Sequence, residues 1–62
     1  MTSDEVIDQL AAVRESGAVN MMDRNGVRKF ADRTNFRELV EFIDENDGSA
    51  YVEALKRMGR ER

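Results

Sequence analysis

The sequence contains neither cysteine nor histidine. The lack of cysteine excludes disulfide bridges, thiolate zinc sites and cysteine nucleophiles. The lack of histidine removes the side chain most often used for acid-base catalysis near neutral pH, which is also the commonest metal ligand. A chain of 62 residues has little material for a deep cleft that would shift the pKa values of the remaining groups. We therefore expect no enzyme, and no metal, cofactor or small-molecule substrate.

Proline and long apolar runs are also absent. No segment approaches the roughly 20 apolar residues that cross a membrane, and the first residues lack the basic and apolar regions of a secretory leader. We expect no membrane contact and a cytoplasmic location. A chain this short buries only about 60% of its unfolded surface, so residues 1–62 should form one domain whose core uses nearly every apolar residue.

The charged residues are 13 acids and 10 bases, for a net charge of −3. Arginine outnumbers lysine by eight to two. A protein from a salt-rich cytoplasm would have this balance, and so would one encoded by a GC-rich genome. Both explanations stay open, and in the first case high salt would screen every exposed charge.

Glycines and capping residues divide the chain into four segments with helical periodicity. The predicted helices cover about 3–16, 21–33, 35–46 and 49–58, and residues 59–62 form a polar tail. Short connections favour antiparallel or steeply crossed neighbours. The predicted fold is all-α, a compact bundle of three main short helices plus a short C-terminal helix. Four apolar stripes should form its core: Val6, Ile7, Leu10 and Val13; Met22, Val27, Phe30 and Ala31; Phe36, Leu39, Val40 and Ile43; Tyr51, Val52, Leu55 and Met58.

Local signals predict where each helix begins and ends. The start signals are Thr2 with Glu5, Asn20 with Asp23, Asn35 with Glu38, and Ser49. The stop signals are Gly17 in the left-handed conformation, the Asn46-Asp47-Gly48 segment, and Gly59. Gly26 leaves the second start open: it either permits close approach of a neighbouring helix or marks a later start at Asp23.

The most specific stretch is Arg14-Glu15-Ser16-Gly17-Ala18-Val19-Asn20-Met21-Met22-Asp23, followed later by Phe36-Arg37-Glu38-Leu39-Val40. Its pattern R-E-S-G-x-x-N-M-x-D resembles the core of a small phage-encoded family of unknown function, over about residues 13–43. The resemblance implies a viral or proviral context, in the host cytoplasm or a virion, and no activity. The C-terminal part departs from the family because its only aromatic residue is Tyr51.

The same stretch has a structural interpretation that we favour. Gly17 ends one helix, while Asn20 and Asp23 begin the next, so these residues are needed to turn the corner. The functional alternative is a surface in which Asn20, Asp23 and Arg24 contact a partner.

The charges are segregated along the chain. The segment from Arg14 to Arg37 contains six cations and three acids, whereas the segment from Glu38 to Ala54 contains six acids and no cation. This pattern favours either protein contacts between complementary faces or, on the basic side, phosphate contacts. The alternative is a pair of solvated faces that keep the protein soluble.

Two candidate surfaces follow from the charge pattern. The leading hypothesis is a small viral or proviral protein that binds another protein, either a host factor or its own copies as a homo-oligomer. Its predicted contact residues are acidic or exposed apolar: Phe42, Glu38, Glu41, Glu45 and Met21. The alternative is a nucleic-acid-binding accessory protein, whose predicted contact residues are Arg24, Arg28, Lys29 and Arg33. Helices two and three do not fit a DNA-reading helix-turn-helix, because carboxylates of the third helix would face phosphate.

Overall fold

The structure, a computed structural model, describes residues 3–61, which form four helices and no strand. In chain order these are α1 (Asp4–Ser16), α2 (Arg24–Arg33), α3 (Arg37–Glu45) and α4 (Gly48–Glu61). The predicted all-α bundle is confirmed. Within residues 3–61, no helix combines the length and apolar character needed to cross a membrane.

Helix α1 lies at the centre of the bundle. It packs against each of the other three helices, and α2 also packs against α3. The whole predicted stripe of α1 is buried, because its apolar residues recur at spacings of three and four and so share one face. The other buried side chains are Val27, Ala31, Leu39, Val40, Ile43, Tyr51, Ala54 and Met58.

The turn between α1 and α2 reverses the roles predicted for its two methionines. Met22, expected in the core, is 71% exposed, whereas Met21, expected at the surface, packs against the core. Both residues precede α2, so helical spacing does not decide which way they point. The Tyr51 hydroxyl donates a 2.7 Å hydrogen bond to the Met21 carbonyl, which fixes the turn against α4. Burial of Tyr51 raises its pKa to about 12, which keeps this hydroxyl a donor throughout the neutral range.

Helix α4 is longer than predicted, because it continues through Gly59 to Glu61. The Arg57 guanidinium donates to Glu61, one turn later, at 2.6 Å, and this pair spans the glycine. Arg57 also donates to Asp4 at the start of α1. Ala54 takes the buried place expected for Val52, which is 38% exposed.

The first helix begins and ends with local caps. The Ser3 hydroxyl accepts from the Val6 N–H at 3.3 Å. The predicted cap Thr2 lies outside the described residues. Gly17 ends α1 with φ of 66°, as predicted, in a conformation that carries little steric cost for glycine alone.

Helix α2 has the later of its two predicted starts. The Asp23 carboxylate accepts from the Gly26 N–H at 3.1 Å and caps the helix, while Asn20 accepts from Met22 within the preceding turn. The close neighbour of Gly26 is this cap and not another helix, since a Cβ at Gly26 would lie 2.7 Å from Asp23 Oδ2. Gly26 therefore serves the Asp23 cap.

The predicted capping pair Asn35 and Glu38 is wrong, because Asn35 ends α2 and does not begin α3. Asn35 has φ of 62°. Its N–H donates to the Asp32 carbonyl at 3.3 Å, and the next N–H, of Phe36, donates to the Ala31 carbonyl at 2.8 Å. These two bonds form a Schellman motif, in which asparagine replaces the usual glycine.

The next connection follows the same local rules with a different capping residue. Asn46 ends α3, as predicted, and its side-chain amide donates to the Phe42 carbonyl at 2.9 Å. The predicted cap Ser49 lies inside α4. Asp47 takes its place, accepting from the Ala50 N–H at 3.0 Å.

We predict that Asn35→Ala destabilises the protein by about 1 kcal/mol, because a left-handed residue with a Cβ costs roughly 1–2 kcal/mol and alanine lacks the short polar side chain that offsets part of this cost in asparagine. Asn35→Gly should be neutral or stabilising. Urea unfolding followed by circular dichroism measures both.

The matched control is Asn25→Ala, which changes an exposed asparagine within α2. Alanine has the higher helix propensity, so this change should stabilise slightly. Equal effects of the two alanine substitutions would contradict the left-handed role of Asn35.

Candidate functional site

The structure brings together four of the five residues predicted to contact a protein. Glu38, Glu41, Phe42 and Glu45 line one groove between α3 and the start of α1, with a volume of about 230 Å³. We call this the acidic groove. Its full lining is Ser3, Val6, Glu38, Glu41, Phe42, Glu45 and Asn46.

Phe42 forms part of the apolar surface of the acidic groove and is not an isolated exposed side chain. It is partly buried and packs against the core, which corrects its predicted exposure. Val6 is the other apolar residue of the lining and is buried. The groove therefore places one partly exposed aromatic side chain, Phe42, beside a row of carboxylates.

The carboxylates of the acidic groove differ in their partners. The Gln9 amide donates to Glu38 Oε1 at 2.6 Å, and this bond, followed by one from the backbone, lowers the pKa of Glu38. Glu41 and Glu45 are exposed, and within residues 3–61 they have no ion pair. No group of three or more acidic residues in the described part of the chain is arranged to hold a metal ion. The acidic groove thus offers two uncompensated charges and one held in place.

Gln9 is the residue that sequence reasoning missed. Besides donating to Glu38, its side-chain oxygen accepts from the Leu39 N–H at 2.9 Å. It thereby caps α3, whose first residues have no side-chain cap of their own. A signal was present in the sequence, since Gln9 lies three residues after Val6 and four before Val13, at the edge of the buried stripe of α1.

Met21 does not belong to the acidic groove. It packs against the core, and its carbonyl accepts from Tyr51. The preceding motif residues are also used within the turn: the Ser16 hydroxyl donates to Val13 and accepts from Ala18, at 2.6 and 3.2 Å. The structure therefore accounts for most of the distinctive stretch by turn geometry.

Two of the four predicted nucleic-acid contacts bind α3 of the same chain. Arg24 donates from Nη2 to the carbonyls of Ile43 and Asn46, both at 2.6 Å, at the C-terminal end of α3. Arg28 makes a two-bonded ion pair with Asp44, at 2.5 and 2.9 Å, which raises the pKa of Arg28 and lowers that of Asp44. Both guanidiniums bind α3, which leaves fewer of their N–H donors for phosphate.

The other two predicted cations line a second groove, of about 400 Å³, beside α2. We call this the basic groove. Lys29 and Arg33 are exposed there and have no ion pair within residues 3–61, whereas Asp32 pairs with Arg37 at 3.0 Å. Its full lining is Val19, Gly26, Arg28, Lys29, Asp32 and Arg33, none of which lines the acidic groove.

Comparison with known proteins finds one family. The model of a domain of unknown function, DUF5049, matches residues 1–55. No curated protein and no solved structure matches the chain.

We predict that Arg24→Met destabilises the protein by about 1–3 kcal/mol, because it removes two charge-assisted hydrogen bonds from the end of α3. The stability of Arg24→Lys should lie between those of wild type and Arg24→Met, since an ammonium can donate but lacks the planar guanidinium fork. Urea unfolding at constant salt provides the measurement.

Arg33→Met is the control on the same helix, because Arg33 is exposed and has no ion pair within the described chain. Its effect should stay within about 0.5 kcal/mol. If both methionine variants lost the same stability, Arg24 would have no special role in holding α3.

Proposed function

Because this chain belongs to the DUF5049 family, whose description assigns no activity, we propose a function from its surfaces: it binds another protein through the acidic groove. The proposed partner presents lysine or arginine around an apolar side chain. We further propose that the chain is a small phage or proviral protein that acts in the host cytoplasm or in a virion. That context is supported by the motif over residues 14–23, and not by the grooves.

The observation that carries the proposal is the combination of chemistries in the acidic groove. Phe42 supplies apolar surface, and Glu41 and Glu45 supply exposed charge that nothing in the described chain neutralises. Small binding surfaces commonly combine an apolar centre with a polar rim. The charges would orient an oppositely charged partner and speed its approach, while Phe42 would contribute apolar contact area.

The shape of the groove also bears on the kind of partner. Its volume of about 230 Å³ can receive one or two side chains and falls below the usual range of about 300–1,000 Å³ for small-molecule pockets. The carboxylates stand on a helix that is tied to α1 by Gln9. Exposed carboxylates on a helix that is held in place suit recognition of a protein surface better than catalysis.

We predict that Glu41→Arg with Glu45→Arg reduces partner affinity at least about tenfold, because attraction becomes repulsion at two rim positions. Tagged protein is used to recover partners from the natural host, and the recovered partner is then purified and titrated against each variant by calorimetry.

The matched control is Glu15→Arg with Glu53→Arg, which makes the same change in net charge at exposed positions outside both grooves. Wild type and control should retain the partner, and circular dichroism should show all three proteins folded. A groove variant that keeps full affinity would refute the acidic groove as the binding surface.

The alternative function is nucleic-acid binding by the basic groove. Lys29 and Arg33 lie one turn apart and have no ion pair within residues 3–61, which is the observation in its favour. The engagement of Arg24 and Arg28 within the bundle weighs against it, because two cations provide little of the charge that phosphate binding requires.

If the alternative holds, duplex DNA or RNA should bind at low salt, and log affinity should fall against log salt with a slope of about −2 for two phosphate contacts. Lys29→Ala with Arg33→Ala should abolish binding in a gel-shift titration. Lys56→Ala with Arg60→Ala, exposed positions on α4, should not. Wild-type protein that shifts neither probe at low salt would remove the alternative.

A further inference from the structure

Two grooves of opposite charge lie on different parts of the same small protein. The acidic groove exposes Glu41 and Glu45, and the basic groove exposes Lys29 and Arg33. None of these four side chains has an ion pair within the described chain. We infer that the partner of the acidic groove is the basic groove of a second copy of this chain.

The spacing of the charges supports this pairing. Glu41 and Glu45 are four residues apart on α3, and Lys29 and Arg33 are four residues apart on α2. Four residues of helix rise by about 6 Å, so both pairs present charges at one common repeat. With α3 of one copy antiparallel to α2 of the next, Glu41 meets Arg33 and Glu45 meets Lys29.

The chain already uses this chemistry between two of its own helices. Arg28 on α2 forms a two-bonded pair with Asp44 on α3, and the two helices pack against each other. Contact between copies would repeat the α2 to α3 pairing with the neighbouring charges of each helix. The partly exposed apolar side chains on the two sides are Phe42 in the acidic groove and Val19 in the basic groove.

The two grooves share no residue, so a single pairing of this kind is head-to-tail. Each copy that gives its acidic groove to one neighbour retains its basic groove for another, and association can extend beyond two copies. Contacts made by exposed charges are weak singly and are screened by salt. Association should therefore be strongest at high protein concentration and low salt, and it should decline as salt rises.

The test is light scattering and sedimentation of nuclease-treated protein over a range of concentrations. Two groove variants are compared with wild type: Glu41→Arg with Glu45→Arg, and Lys29→Glu with Arg33→Glu. Each alone presents two grooves of one sign, so each should remain monomeric. An equimolar mixture again offers complementary grooves and should recover association to within about tenfold of wild type.

Glu15→Arg with Glu53→Arg is the control and should associate as wild type does. The inference is overturned if wild type stays monomeric at low salt, if either groove variant still associates alone, or if the mixture fails to associate. It is also overturned if wild type associates only before nuclease treatment, since nucleic acid would then be the bridge.

The inference rests on the proposed role of the acidic groove, and the two can fail separately. A monomeric wild type whose capture of a host protein depends on Glu41 and Glu45 would overturn self-association and leave the proposed function standing. Association and capture that both ignored Glu41 and Glu45 would overturn both.

Discussion

Both ends of α3 are held by side chains from other helices. Gln9 on α1 accepts from the Leu39 N–H, and Arg24 on α2 donates to the carbonyls of Ile43 and Asn46. Helix α3 has only nine residues, whereas isolated helices shorter than about 12–15 residues are marginal in water. Its N-terminal residue carries no side-chain cap. The helix therefore depends on α1 and α2 for its ends as well as for its buried face, and the acidic groove depends on the same contacts for its position.

This dependence decides how the basic residues are divided between structure and surface. Arg24 and Arg28 lie on the side of α2 that meets α3. There Arg24 donates to carbonyls and Arg28 pairs with Asp44. Lys29 and Arg33 lie in the basic groove and remain available. Of these four cations, two make contacts within the chain and two have no ion pair within residues 3–61. Counting charges along the chain overstates the basic surface because it cannot separate these uses.

Sequence reasoning succeeded where the physics is local. The stripe of α1 follows from spacing alone, and Gly17 could be assigned because few residues other than glycine adopt positive φ readily. The prediction failed at Asn35, because asparagine both caps helix starts and tolerates the left-handed conformation. The glutamate three residues later completed a capping-box pattern and so favoured a helix start at Asn35. The contact partners of Gln9 and Arg24 lie 30 and about 20 residues away, so no local pattern could assign them. The sequence therefore predicted which residues line the candidate surfaces more fully than how those residues are arranged.

The arrangement of the charges matters because a side chain that is already paired within the chain contributes little to binding another molecule. An arginine that forms a two-bonded pair with an aspartate gains little from a second carboxylate or phosphate, since its best donors are already engaged. Surface charges that have no partner in the same chain are therefore the ones that can report on a binding event. In the two grooves such charges form pairs of opposite sign with the same spacing, Glu41 with Glu45 on α3 and Lys29 with Arg33 on α2. Charges matched at that spacing across an interface are the physical basis of the pairing that we propose between copies.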